Sequence, residues 1–316
     1  MRRKKVDLEI FRLINLAKAT ALAIVFTGSI CIGARAQQQG QETFSSPEEA
    51  SIALVNAAQS NDEKALLEIF GPDGKEVVSS GDATEDAENH ANFAKRYQEM
   101  HRLVKEPEGQ LVLYIGAENW PAPIPLVNKG GLWYFDTEAG KKEILFRRIG
   151  RNEMSTIHSC QELVAAQKEY YSTQNNEYAH QIYSDEGKRN GLYWKAAEGE
   201  NQSPMGPLVA AAVAEGYVKG KAGPPTPYHG YLYHVLTLQG KDAPGGAKNY
   251  ILNGKMTEGF AFVAYPAEYR SSGVMTFIVN ADGVVYQKDL GKKTEAIGKA
   301  MKEYNRDSSW RKAAQD

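Results

Sequence analysis

FAFVAYPAEYRSSGVMTFIVNADGVVYQKD, residues 260–289, is the stretch that decides the fold. It holds three runs rich in β-branched and aromatic residues: GFAFVAYP from 259, GVMTFIVN from 273 and GVVYQKD from 283. Such runs, bounded by turn residues, read as strands, and N-A-D-G between the last two reads as a type I′ hairpin. Upstream, YHGYLYHVLTLQ (228–239) and KNYIL (248–252) add strands to the same antiparallel sheet. Downstream, TEAIGKAMKEYN (294–305) is expected to close the domain as a helix, with Trp310 tucking the tail back. Ahead of the sheet, NEMSTIHSCQELVAAQKEYYS (152–172) predicts a long helix. YAHQIYS, a loop-rich stretch over 185–206 and a small-residue helix, PLVAAAVAEGY (207–217), follow it, and GKAGPPTP (220–227) is a breaker run.

The first half repeats the order of helices followed by strands. In SSPEEASIALVNAAQSN (45–61), Ser46, Pro47 and Glu49 supply an N-cap, an N1 proline and a capping-box acid. Asn61 is expected to cap DEKALLEIF (62–70), which GPDG stops. SSGDATEDAENHANFAKRYQEMHRLV (79–104) predicts a third helix capped near Asp82 or Thr84. Phe93, Tyr97, Met100 and Val104 recur in it at helical spacing and should face the core. QLVLYIG (110–116), PIPLV (123–127), GLWYFD (131–136) and KEILFRR (142–148) predict a meander, with NKGG and TEAGK as its last turns. The fold class is therefore α+β in two domains, 46–150 and 151–316, each with helices packed on an antiparallel sheet. Helices that come before and after the strands, rather than alternating with them, argue against a doubly wound parallel sheet.

Residues 1–36 read as a secretory signal peptide. Arg2, Arg3, Lys4 and Lys5 form a positive start, Ala19–Ala34 carry no charge, and Ala34-Arg35-Ala36 is a small-x-small cleavage site. The apolar run is shorter than the roughly 18 residues of a spanning helix. An uncleaved anchor is the alternative. A polar lead over 37–45 is expected to be disordered. The protein is thus expected outside the cytoplasm, in the periplasm or the extracellular space, with no integral membrane segment after cleavage. Residues 1–36 hold seven of the 37 basic residues and two of the 39 acidic ones, leaving a net charge of −7 beyond them. A mildly acidic chain without a basic tract is a poor candidate for nucleic acid or anionic lipid. Cys160 is the one cysteine in that part, so no internal disulfide or cysteine metal cluster is expected.

No set of residues with catalytic or metal-binding spacing stands out, and no cofactor is implied. His90 and His101, on one predicted helix, would lie about 16 Å apart by helix rise, too far for one metal. His229 and His234, on one strand run, would face opposite ways. His158 and Cys160, two apart on a helix, do not meet. GKDAPGGAK (240–248) is Gly-rich but opens no helix, so it reads as a mobile loop rather than a phosphate site. Asp282 and Gly283 read as a turn and offer too few oxygens for calcium. RRIGRNE is the densest charge cluster. Arg147, Arg148 and Arg151 either fix the domains as a hinge, pairing with Glu143 or Glu153, or clamp an anion at the start of the next helix. The hinge has the stronger warrant. For a ligand held between the domains, Arg148 and Arg151 come first, with His229 or Asp185 as base. Tyr228, Tyr231, Tyr233, Tyr265 and Tyr269 cluster around the second sheet, with Tyr193 and Trp194 in the loop before it. They read mostly as core, and if exposed they would mark a partner or glycan surface.

AAQKEYYS, YAHQIYS, PLVAAAVAEGY, GYLYHVLT and AYPAEYRSSGVMTFIVNADGVVY together resemble the globular head of type IV pilins and pseudopilins, over about 153–290. Pilins polymerise through a very hydrophobic N-terminal helix. The equivalent helix here carries Glu162, Lys168 and Glu169, which puts polymerisation in doubt. SSGDATEDAENHANFAKRY, GLWYFDTEAGKKEILFRRIGRNE, NGLYW, SPMGPLVAAA and YHGYLYHVLTLQG, with the opening stretch, resemble the bacterial exported family of unknown function DUF2950. That resemblance implies export and a two-part chain, and it brings no activity or site residue. The expected function is a non-enzymatic binding or accessory protein of the cell envelope, with an envelope protein or glycan as partner. The alternative is an envelope enzyme or a binder of a small anionic ligand.

Overall fold

The computed structural model describes residues 38–78, 83–197, 200–214 and 227–314. The expected signal peptide, the expected cap at Asp82 and most of the breaker run lie outside the described residues, as does the side chain of Thr84. The chain is α+β and divides into two compact units, the first ending at Ile144 and the second beginning at Leu145.

The first unit opens with α1 (Pro47–Gln59), α2 (Glu63–Phe70), a 3-10 turn over Pro72–Gly74, α3 (Lys75–Val78) and α4 (Ala83–Glu99). Ser46 caps α1 by accepting from Glu49 N at 3.1 Å. The Glu49 carboxylate reaches back one residue further than a capping box requires, to Ser45 N at 3.0 Å. Asp62, not Asn61, caps α2, accepting from Ala65 N at 3.0 Å. Asn61 takes a left-handed φ of 49° and its side chain pairs with His90. The lead expected to be disordered is tied down where it is described. Gln41 is buried and donates to the carbonyls of Ile69 and Phe135, and Phe44 is buried and bridges Trp133.

Five strands follow: β1 (His101–Lys105), β2 (Leu111–Ile115), β3 (Trp120–Pro121), β4 (Leu126–Lys129) and β5 (Leu132–Phe135). They pair antiparallel in the order β1-β2-β4-β5, with β3 on β2. Two sequence expectations fail here. HRLVK is a strand, not the end of α4, because Gly116 N donates to the carbonyls of Arg96 and Met100 and ends the helix. His101 therefore does not share a helix with His90; it stacks on Tyr97 with ring centres 3.8 Å apart. KEILFRR is not a strand. Asp136 accepts from Ala139 N and starts α5 (Thr137–Thr173), so TEAGK is a first helical turn rather than a hairpin. The unit's core gathers Leu54, Leu66, Ile69 and Phe70 from the helices against Leu126 and Phe135 of the sheet.

The second unit packs α5 beyond Leu145 on a five-stranded sheet of its own. Its elements are α6 (Gly206–Ala214), β6 (Tyr231–Leu236), β7 (Leu238–Gln239), β8 (Lys248–Asn249), β9 (Ile251–Leu252), β10 (Lys255–Met256), β11 (Ala261–Pro266), β12 (Met275–Asn280) and β13 (Tyr286–Asp289). A 3-10 turn, Gly291–Lys293, then leads into α7 (Thr294–Ala300), β14 (Glu303–Tyr304) and β15 (Arg311–Lys312). The main sheet runs β15-β13-β12-β11-β6, all antiparallel. Strand β11 is buried along its whole length, as a central strand covered on both faces must be. Cys160, Leu163, Val164 and Tyr170 of α5 join its core. Buried Gln167 completes the join, exchanging two hydrogen bonds of 2.8 Å with the backbone of Ala179.

The β12–β13 hairpin is not type I′: only Gly283 has a positive φ, and Gly283 N donates to Asn280 O, giving a three-residue loop ended by a left-handed glycine. The closing helix is shorter than expected. After Ala300 the chain becomes β14, which pairs parallel with β7. Trp310 is buried, and β15 returns the tail to β13. Among the described residues, no helix is long and apolar enough to cross a membrane.

Candidate functional site

Arg147, Arg148 and Arg151 fall in the third and fourth turns of one continuous 37-residue helix. They do not meet a helix N-terminus, whose unpaired amides lie in the first turn at Thr137–Gly140. Arg148 and Arg151 are exposed. Glu153, one of the acids expected to pair with them, has a carboxylate that accepts from the amides of Val274 and Met275 at 2.9 and 3.0 Å.

That carboxylate belongs to a polar clasp at the head of the second unit. Asn152 donates to Ser272 O at 2.9 Å, and the Tyr231 hydroxyl donates to Met275 O at 2.9 Å. The Tyr233 hydroxyl donates to Thr156 Oγ1 at 3.2 Å, and Thr156 in turn donates to Asn152 O. Burial pushes both tyrosines well above the usual phenol range, so they act as neutral donors. His229 is drawn to this clasp by its backbone. Tyr228 and Tyr231 bridge, and His229 and Gly230 between them have φ of 48° and 74°, a tight mirror-image turn. His229 is therefore in a turn, not on a strand opposite His234. A Cβ on Gly230 would stand 2.7 Å from Asn152 Nδ2, so the turn seats directly on the residue after Arg151. His234 sits in β6 and donates from Nε2 to Met301 O at 2.9 Å.

Trp194 belongs elsewhere. It meets Tyr170 edge-on at 6.5 Å, with the Arg189 guanidinium 5.6 Å from its ring and Glu200 paired to Arg189 at 2.7 Å. Tyr170 is eighteen residues from Asn152 along α5, about 27 Å by helix rise. Asp185 accepts from Asn190, Gln181 and Lys188, and these bonds, Asn190's first, hold it below the usual 3.8. It is thus a weak base. Cys160 is fully buried, which pushes its thiol up to about 12, while His158 pairs with Glu162 at 3.1 Å. Among the described residues, no three His, Cys, Asp or Glu side chains gather as a metal site would need.

Two shallow surface depressions lie around α7, which sequence reasoning did not single out. This helix is inverted: Thr294 and Gly298 are buried, while Ala296, Ile297 and Ala300 face out. The cause is close approach. A Cβ on Gly298 would stand 2.4 Å from the Tyr265 ring, so only glycine lets the helix sit this tightly on β11. Two open hollows flank the ridge. One, of about 460 Å³, is floored by Ala296, Ile297, Ala300 and Met301 and edged by Lys293. The other, of about 420 Å³, lies between Met301, Leu290 and Trp310, with Lys288, Lys302 and Glu303 at its rim. Lys288 also lies 5.8 Å from the centre of the Trp310 ring. The cations cluster in sequence as well: residues 286–312 hold eight Lys and Arg against four Asp and Glu in an otherwise acidic chain. An apolar floor with a cationic rim can take an extended apolar-and-acidic ligand, held by burial in the middle and by charge at the edge.

The family described as "Protein of unknown function (DUF2950)" matches residues 41–313. No curated protein and no solved structure matched the chain.

Proposed function

Because the chain belongs to the DUF2950 family, whose description assigns no activity, we propose from its own residues that it is an exported cell-envelope protein that works by binding. The observation that carries this reading is the inverted helix α7. A helix that turns threonine and glycine inward and isoleucine outward leaves apolar surface in water, at a cost that a partner's surface would recover. Ile297 is 41% exposed, and Lys293 and Lys302 stand beside the ridge. The fitting partner is an envelope protein segment that sets apolar side chains over Ile297 and Met301 and carboxylates against the lysines. Export is supported by the charge and hydropathy order of residues 1–36.

The experiment is affinity purification of the tagged full-length chain from gently crosslinked cells, with the intact mass of the product. A mass starting at Gln37 and a stoichiometric envelope partner, absent with Ile297→Asp, are expected. A product that keeps residues 1–36 in the cytoplasm, or a partner indifferent to Ile297→Asp, would contradict the reading.

A further inference from the structure

An asparagine followed by glycine is open to attack by its own backbone, because glycine puts no Cβ beside the attacking nitrogen. The chain holds two such pairs, Asn190-Gly191 and Asn253-Gly254, and the fold treats them in opposite ways. Asn190 is locked. Its side-chain oxygen accepts from Asp185 N at 3.0 Å and from Gln181 Nε2 at 3.3 Å, and its Nδ2 donates to Asp185 Oδ2 at 2.8 Å. Gly191 N, the atom that would attack, donates to Ser184 Oγ at 3.0 Å. Gly191 is buried, and a Cβ there would stand 2.6 Å from Ser184 N.

Asn253 is open. With Gly254 it forms the turn between β9 and β10, where Leu252 pairs with Lys255. Their φ of 52° and 78° make it a mirror-image turn. Leu252 through Lys255 are exposed, and a Cβ on Gly254 would meet nothing within 4 Å. Among the described residues, no hydrogen bond holds the Asn253 amide or Gly254 N.

We propose that Asn253 is a self-modification site that converts to aspartate and isoaspartate. Gly254 N gives its proton to hydroxide and attacks Asn253 Cγ. The new N–C bond closes a succinimide ring, the Cγ–Nδ2 bond breaks, and ammonia leaves with a proton from water. Water then opens the ring, at Cγ to give isoaspartate's partner product or at the backbone carbonyl, so that either carboxylate results: hydrolysis at Cγ yields aspartate and hydrolysis at the backbone carbonyl yields isoaspartate. In sum, one amide and one water become one acid and ammonia. Both products add a negative charge to the turn. Isoaspartate also routes the main chain through the side-chain methylene, which lengthens a turn that the Leu252–Lys255 register holds tight. Beyond that turn, β10 carries Met256, which is fully buried and whose carbonyl accepts from Tyr178 N at 2.8 Å. The proposal is independent of the ridge on α7.

The test incubates the full chain, native, at mildly alkaline pH and maps its peptides by mass, with aspartate and isoaspartate separated by chromatography. Each hydrogen bond that must break before attack slows the reaction, so Asn253 should convert faster than Asn190 by about tenfold or more. In guanidinium the two rates should converge, and Asn253→Gln should abolish conversion at that position. The amide of Tyr178 should exchange its hydrogen faster in the isoaspartate form than in the unconverted protein. The proposal is overturned if native Asn253 keeps its amide while the unfolded chain loses it, or if Asn190 converts as fast as Asn253 in the native protein.

Discussion

Gly298 has a Tyr265 ring 2.4 Å from where its Cβ would be. On an open helix face, Gly→Ala gains about 1 kcal/mol of helix propensity. At position 298 the methyl must push the ring or lift α7 off β11, and overpacking of that kind costs about 1–3 kcal/mol. Gly298→Ala should therefore lower stability in urea unfolding, the opposite sign from an exposed glycine. Gln167 is as exacting for a different reason. It supplies both partners to the Ala179 backbone inside the core, so Gln167→Met keeps the volume but orphans a donor and an acceptor. That should cost about 2–4 kcal/mol in the same measurement. Cys160, its thiol pushed up to about 12 by burial, should be silent to a thiol reagent near pH 8 until the protein unfolds. Rapid labelling of the native protein would place it at the surface instead.

At the scale of the element, local signals were legible and long-range ones were not. Ser46, Pro47 and Glu49 announce the start of α1, and Gly130-Gly131 announces the β4–β5 turn, where φ is 63° and 88°. The start of α5 was also written, in Asp136 and Glu138, but the apolar run Ile144-Leu145-Phe146 looks like a strand when read alone. The end of α4 was not written. No glycine or proline stands near Met100, and what stops the helix is Gly116, sixteen residues on, which no window of that length ties to it. The same holds for α7, cut short because the chain after it joins β7. The α1 cap also makes a prediction about acid. Hydrogen bonds from Ser45, the side-chain one foremost, hold Glu49 below the usual 4.5. An acid lowered in this way stabilises the fold above the unfolded value, and that contribution is lost as pH falls through the folded value. Glu49→Gln should therefore flatten the fall in melting temperature between about pH 5 and pH 2, and an unchanged slope would remove the cap from the account.

At the scale of the molecule, the α+β class was legible because strand runs and helical periods were segregated along the chain. The candidate site was legible only in part. Asn152 and Gly230, the sequence neighbours of Arg151 and His229, come together, while Trp194 answers to Arg189 instead. The groove beside α7 escaped because a helix with Ile297 is ordinarily read as burying it, and the glycine that reverses the helix is explained only by Tyr265 on a distant strand. A binding protein built this way should hold its partner at that ridge. The most direct test places a photocrosslinking side chain at Ile297 in living cells. The account predicts one discrete adduct in the envelope fraction, lost when Lys293 and Lys302 are both changed to Glu. No adduct, or one that survives the charge reversal, would contradict it.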